Sequence, residues 1–98
     1  MKQKKEKLDE AVGLLKLLSH PVRLSILCNL LHHGEMSVGE IVDAECGAAG
    51  QSQISQFLGK MKSEGLVKSR KEAQTVHYSL SSPEAEKVVK ALYSIYCG

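Results

Sequence analysis

The stretch GQSQISQFLGKMKSEGLV, residues 50–67, decides the fold. At about 100° per residue, Ile54, Phe57, Leu58 and Met61 gather on one face, and an arc of roughly 100° is wide enough to seat on a core. Ser52, Gln56, Gly59, Lys60 and Ser63 fall opposite, and no carboxylate appears before Glu64. This outer face is short, amide-rich and basic. Glutamine can pair with an adenine edge, serine with several bases or a phosphate, and lysine with a guanine or a phosphate. Gln51, Ser52, Gln53, Ser55, Gln56 and Lys60 are therefore the candidate DNA-contacting residues of this helix. An ordinary surface helix facing water would look similar, so the flanking segments must decide. Gly65 stands where a helix end wants a left-handed residue, and Leu66-Val67 begins an extended segment.

Upstream, Met36-Ser37-Val38-Gly39-Glu40-Ile41 is a helix start. Ser37 and Glu40 have capping-box spacing, and Met36 and Ile41 the spacing of a hydrophobic staple. This short helix ends near Glu45, and residues 46–50, CGAAG, form a loose turn. Two helices joined by a Gly-containing turn, the second with a polar outer face, make a helix-turn-helix pattern. Downstream, residues 67–70 and 75–80 are strand-like, because Val76, Tyr78 and Leu80 alternate with Thr75, His77 and Ser79. Residues 71–74 link them into a hairpin, the wing of a winged helix. Arg70 and Lys71 are placed at its tip as candidate phosphate contacts, with Gln74 and Thr75 beside them.

Further out, residues 8–18 form a first helix whose Leu8, Ala11, Val12, Leu15 and Leu18 make one stripe, widened by Leu14 and Leu17. Residues 1–7 are a charged arm. His20 is placed to cap a second helix, with Pro21 at its first position, running to about residue 31. Ser81-Ser82-Pro83 starts a last helix over residues 84–96, apolar through Ala85, Val88, Leu92 and Ile95 and broadened by Val89, Tyr93 and Tyr96. The expected architecture is mainly α with a β-hairpin wing, a winged helix-turn-helix in the order α-α-α-α-β-β-α. First and last helices are apolar on more than one side, which predicts a homodimer packed through them.

At 98 residues the chain is expected to be one domain, residues 1–98, with a mainly aliphatic core: one Phe, three Tyr and no Trp. The net charge of +2 does not announce a nucleic-acid partner, but its distribution is uneven. Within residues 51–80, Lys60, Lys62, Lys68, Arg70 and Lys71 face only Glu64 and Glu72. Glu35, Glu40, Asp43 and Glu45 form an acidic cluster with no nearby base. The charged start and the lack of a long apolar run predict no signal peptide, no membrane span and no membrane partner. A cytoplasmic, reducing setting follows, with Cys28, Cys46 and Cys97 as thiols at rest. Four His and three Cys show no compact metal-ligand spacing, so neither a metal nor another cofactor is expected. No phosphate loop, triad or paired carboxylates point to an enzyme. On residues alone Cys28, between Leu24 and Leu31, reads as a small buried hydrophobe, and Cys46 as an incidental residue of the turn.

LLKLLSHPVRLSIL (residues 14–27), SVGEI (37–41), QSQISQFLGKMKSEGLV (51–67) and RKEAQTVHYSL (70–80) together resemble the ArsR family of small bacterial winged-helix repressors. The resemblance covers residue 8 to the C-terminus. It implies a homodimer on palindromic double-stranded operator DNA and an inducer that releases it. Metal-sensing members carry a Cys-x-Cys pair where this chain has Ser37 and Gly39, and others use His on the last helix, which is absent from residues 84–97. The segments ILC (26–28) and LYSIYC (92–97) resemble the sulfide- and oxidant-responsive branch instead. That branch implies Cys28 and Cys97 as a redox-sensing pair, and a reactive sulfur species or oxidant as inducer. Two alternatives stay open: a protein-interaction module or anti-repressor that displaces another DNA-bound protein, and a metal-responsive repressor with a non-standard site.

Overall fold

A computed structural model describes the backbone of residues 2–96 and the side chains of residues 5–96. The chain runs α1 (Lys2–Leu18), α2 (Pro21–His33), β1 (Glu35–Ser37), α3 (Val38–Ala44), α4 (Gln51–Ser63), β2 (Val67–Glu72), β3 (Thr75–Leu80) and α5 (Pro83–Tyr96). The winged helix-turn-helix order is present, with one added strand. β1 pairs antiparallel with β3, giving a three-stranded sheet in the order β1-β3-β2. Three residues carry too little alternation to be seen as a strand. Their partner lies forty or more positions downstream, with Glu35 opposite Ser79 and Ser37 opposite His77.

Local chemistry explains the element boundaries. His20 caps α2: its Nδ1 accepts the Val22 N–H at 3.2 Å, and Pro21 follows at the first helical position. Gly34, at φ +84°, ends α2 beyond His33, slightly later than expected. Ser37 is both the last residue of β1 and the cap of α3. Its Oγ accepts the Glu40 N–H at 3.1 Å, while Glu40 Oε1 accepts the Ser37 N–H at 2.8 Å. Met36 and Ile41, on either side of that box, are both buried. At the end of α4, Leu66 N–H donates to the Met61 carbonyl and Gly65 N–H to the Lys62 carbonyl, a left-handed C-terminal cap with Gly65 at φ +80°. Ser82 Oγ accepts the Ala85 N–H at the head of α5.

Three expectations need correction. α1 begins at Lys2, so the charged arm is helical there; Lys, Gln and Glu are good helix formers and nothing interrupts them. β2 extends to Glu72, and the hairpin turns through Ala73 and Gln74 alone. Arg70 therefore sits in the middle of β2 opposite His77, and Lys71 opposite Val76, with the tip further out.

The core gathers Ile26, Leu27 and Leu30 of α2, Ile41 of α3, Ile54, Leu58 and Met61 of α4, Leu66 and Val67 at the start of the wing, and Ala85 and Val89 of α5. α2 runs through the middle and packs on both α1 and α5. α1 buries Leu17 and Leu18 but leaves Leu8, Val12 and Leu15 exposed. Among the described residues no single helix is long and apolar enough to cross a membrane.

Candidate nucleic-acid interface

α4 divides as its sequence requires. Ile54, Leu58 and Met61 are fully buried, whereas Gln51, Ser52, Gln53, Ser55, Gln56, Lys60 and Lys62 are exposed. Gly50 caps the helix without a side chain, so no side-chain oxygen occupies the first-turn N–H groups. Such an end favours an anion. Phe57 packs half-buried against the core, as expected, and also meets α2 and its cap. The His20 ring lies 4.7 Å from it, tilted by 56°, and the Arg23 guanidinium sits 5.6 Å over its centroid. Arg23 reaches the Lys16 carbonyl at 3.5 Å, and its Nε is buried with no hydrogen-bond partner. The aromatic contact and the cation over the ring seat α4 on α2.

The wing stands beside this helix. A groove of about 460 Å³ opens between the start of α3, the first turns of α4 and the hairpin tip. Gln51 and Ser55 of α4, Gln74, Thr75 and Val76 of the wing, and Ser37, Val38 and Gly39 line it. Four candidate residues from α4 and the wing thus share one groove. Lys60 lies further along α4, and Lys71 is exposed on β2.

Arg70 differs from these. Its Nε and Nη2 donate to the two carboxylate oxygens of Glu35, each at 2.8 Å, and its Nη1 lies 3.4 Å from Glu72. The Arg70 guanidinium holds the Glu35 carboxyl below its ordinary range, and the carboxylates in turn raise Arg70. The expected acidic cluster also resolves into separate roles. Glu35 pairs with Arg70, and Glu40 closes the capping box, where the Ser37 backbone N–H lowers its pKa. Glu45 turns inward, only 6% exposed, where its Oε2 accepts Ser25 Oγ at 2.9 Å and Asn29 Nδ2 at 3.1 Å. It ties the turn after α3 to α2. Its two donors lie 20 and 16 residues upstream, too far for the sequence to single Glu45 out of the acidic cluster. Nothing local marks Glu35 as the partner of Arg70.

Cys28 is half-buried against the core on α2, whose neighbour α5 runs to Tyr96. Cys97 lies outside the described residues. Cys46 is exposed in the turn. His32 and His33 stack edge to face at the exposed end of α2, with centroids 4.9 Å apart. Among the described residues, no group of three or more His, Cys, Asp or Glu is placed to hold a metal ion.

No protein-family model matches the sequence. Individual relatives do. The chain is 43% identical over 89 residues to the biofilm growth-associated repressor of Xylella fastidiosa, covering 91% of this chain and 75% of the relative. It is 46% identical over 88 residues to the transcriptional activator HlyU of Vibrio cholerae, covering 90% and 79%. The solved structure of reduced HlyU from Vibrio cholerae superposes over the full length of both chains with a TM-score of 0.88 at 41% identity. These relatives are transcription regulators, a non-enzymatic role. With the helix-turn-helix, the wing and the relatives in agreement, the chain belongs to the ArsR-like family of winged helix-turn-helix transcriptional regulators.

Proposed function

We infer that this chain, as a single domain, is a dimeric repressor. It reads a palindromic duplex with α4, braces it with the wing, and lets go when Cys28 and Cys97 are oxidised or persulfidated. The observation that carries the DNA reading is the single groove lined by Gln51 and Ser55 of α4 together with Gln74 and Thr75 of the wing. Ser52, Gln53 and Gln56 extend the same amide- and hydroxyl-bearing surface, and Lys60 and Lys71 supply phosphate contacts. Dimerisation is supported by the apolar stripe left open on α1, with Leu8 and Leu15 each 58% exposed, and by Ile95 and Tyr96 on α5 at 71% and 80%. A twofold axis through these helices carries the two reading helices to successive major grooves, about 34 Å apart.

The switch rests on the branch resemblance and on the packing of α2 against α5. With peroxide, two thiols lose two electrons and two protons to give a disulfide and two waters. With a polysulfide, one thiolate takes a sulfane sulfur, forming a persulfide and releasing the shortened polysulfide. The second thiolate attacks the inner sulfur and expels hydrosulfide. Either link ties the helix leading to the reading heads to the helix at the dimer axis.

Band-shift titration with a duplex enriched from a random pool tests both parts. Reduced protein binds with a steep salt dependence; polysulfide or peroxide releases it. Cys28→Ser and Cys97→Ser each bind and ignore the inducer, while Cys46→Ser responds normally. A Cys28→Ser/Cys97→Ser double variant that still releases DNA overturns the sensor. The Vibrio cholerae relative is named an activator, which keeps displacement of another DNA-bound protein as the second reading. Transcription with purified polymerase and no other protein separates them, since only a repressor acts there.

A further inference from the structure

We propose that Arg70 is a positioning residue rather than a phosphate ligand: its fork on Glu35 sets the wing against the reading helix. The proposal rests on the DNA-reading role above and concerns how that site is held. The sheet order is β1-β3-β2, so Arg70 on β2 and Glu35 on β1 are not on adjacent strands. The guanidinium crosses over β3, on the face of the sheet that carries His77 and Ser79, to place two 2.8 Å hydrogen bonds on Glu35. β1 is only three residues long, and its last residue, Ser37, is the cap of α3. β3 already pairs with β1; the clamp ties the outer strand β2 as well to the residues that begin the helix-turn-helix. Ser37 lines the same groove as Gln51, Ser55, Gln74 and Thr75, so a hinge at β1 would open or skew that groove.

An exposed ion pair is ordinarily weak. A bidentate Arg–carboxylate pair differs in geometry, because two parallel bonds fix direction as well as distance. Lysine keeps the charge but cannot form the fork, and this difference makes the role measurable. A phosphate ligand tolerates Lys and gains from the loss of a competing carboxylate. A clamp tolerates neither. Glu72, the second acceptor, is on the same strand as Arg70 and cannot register β2 against β1.

The test compares Arg70→Lys, Arg70→Ala, Glu35→Gln, Glu72→Gln and the swapped pair Glu35→Arg/Arg70→Glu. Each is titrated with the duplex that wild-type protein enriches from a random pool and with its scrambled counterpart. Arg70→Lys and Glu35→Gln should each lower the enriched-over-scrambled affinity ratio by roughly threefold to tenfold. The double Arg70→Lys/Glu35→Gln should be no worse than either single change. Glu72→Gln should leave the ratio unchanged, and the swapped pair should recover it. Tighter binding of Glu35→Gln to both duplexes overturns the proposal. So does a fall of about one unit in the salt slope for Arg70→Ala with the ratio intact. Amide hydrogen exchange without DNA gives an independent reading. Residues 67–80 should exchange faster than α4 in both single variants and return to wild-type rates in the swapped pair; unchanged rates overturn the clamp. Wild-type protein that enriches no duplex overturns the DNA reading instead, and the exchange result still judges the clamp.

Discussion

Ala73 stands at the tip of the wing with φ at +55°, a region that costs an L-residue with a side chain roughly 1–2 kcal/mol. Glycine adopts it freely but loses more freedom on folding. Ala73→Gly is expected to stabilise the protein by about 0.5–1 kcal/mol, seen as a higher urea midpoint at unchanged slope. Glu45 illustrates the opposite sign. Truncation to Ala leaves the Ser25 hydroxyl and the Asn29 amide without their acceptor. The loss should be about 1–3 kcal/mol, and Glu45→Gln, which keeps an acceptor oxygen, should lose less by the same denaturation measurement. Both residues looked ordinary in the sequence, one a wing-linker alanine and the other part of an acidic surface. Ala73 is unusual only because the hairpin turns in two residues, and Glu45 only because α2 arrives with two donors.

At the scale of elements, α4 was legible because its information is local. A 3.6-residue period, a glycine at each end and a carboxylate-free outer face all lie within one stretch. Gln56→Ala should relax sequence preference by about 1–3 kcal/mol where Gln56 makes a bidentate base contact, read as the ratio of enriched to scrambled affinity. Lys71→Ala should weaken both duplexes alike and lower the salt slope by about one unit. α3 and the sheet carry an acid response. Glu35 and Glu40 are held below their ordinary values by Arg70 and by the Ser37 N–H, so their stabilisation is complete above the ordinary glutamate value. It is lost as the pH falls below that ordinary value and through the lowered folded-state values. The urea midpoint should therefore drop on acidification, and drop less in Glu35→Gln/Glu40→Gln.

For the whole molecule, the open stripe on α1 and the exposed end of α5 set the expectation. Leu15→Glu/Ile95→Glu places carboxylates on both surfaces, each side chain being more than half exposed and outside the buried core. The variant should sediment as a folded monomer and bind the enriched duplex far more weakly, because one reading head spans one half-site. A dimer that survives this change would place the interface elsewhere.

The sequence by itself determined the helices, the capping box, the glycine stops, the hairpin and the polar face of α4. Each depends on residues within a turn or two of one another, where propensity, caps and periodicity act directly. Only the tertiary structure decided β1, the clamp between Glu35 and Arg70, the inward turn of Glu45 and the seat of Phe57 on His20 and Arg23. The Arg70–Glu35 partners lie 35 residues apart, and those of Glu45 lie 16 and 20 apart. Hydrogen bonds and ion pairs of that kind leave no periodic trace, because their geometry exists only once hydrophobic burial has brought the elements together.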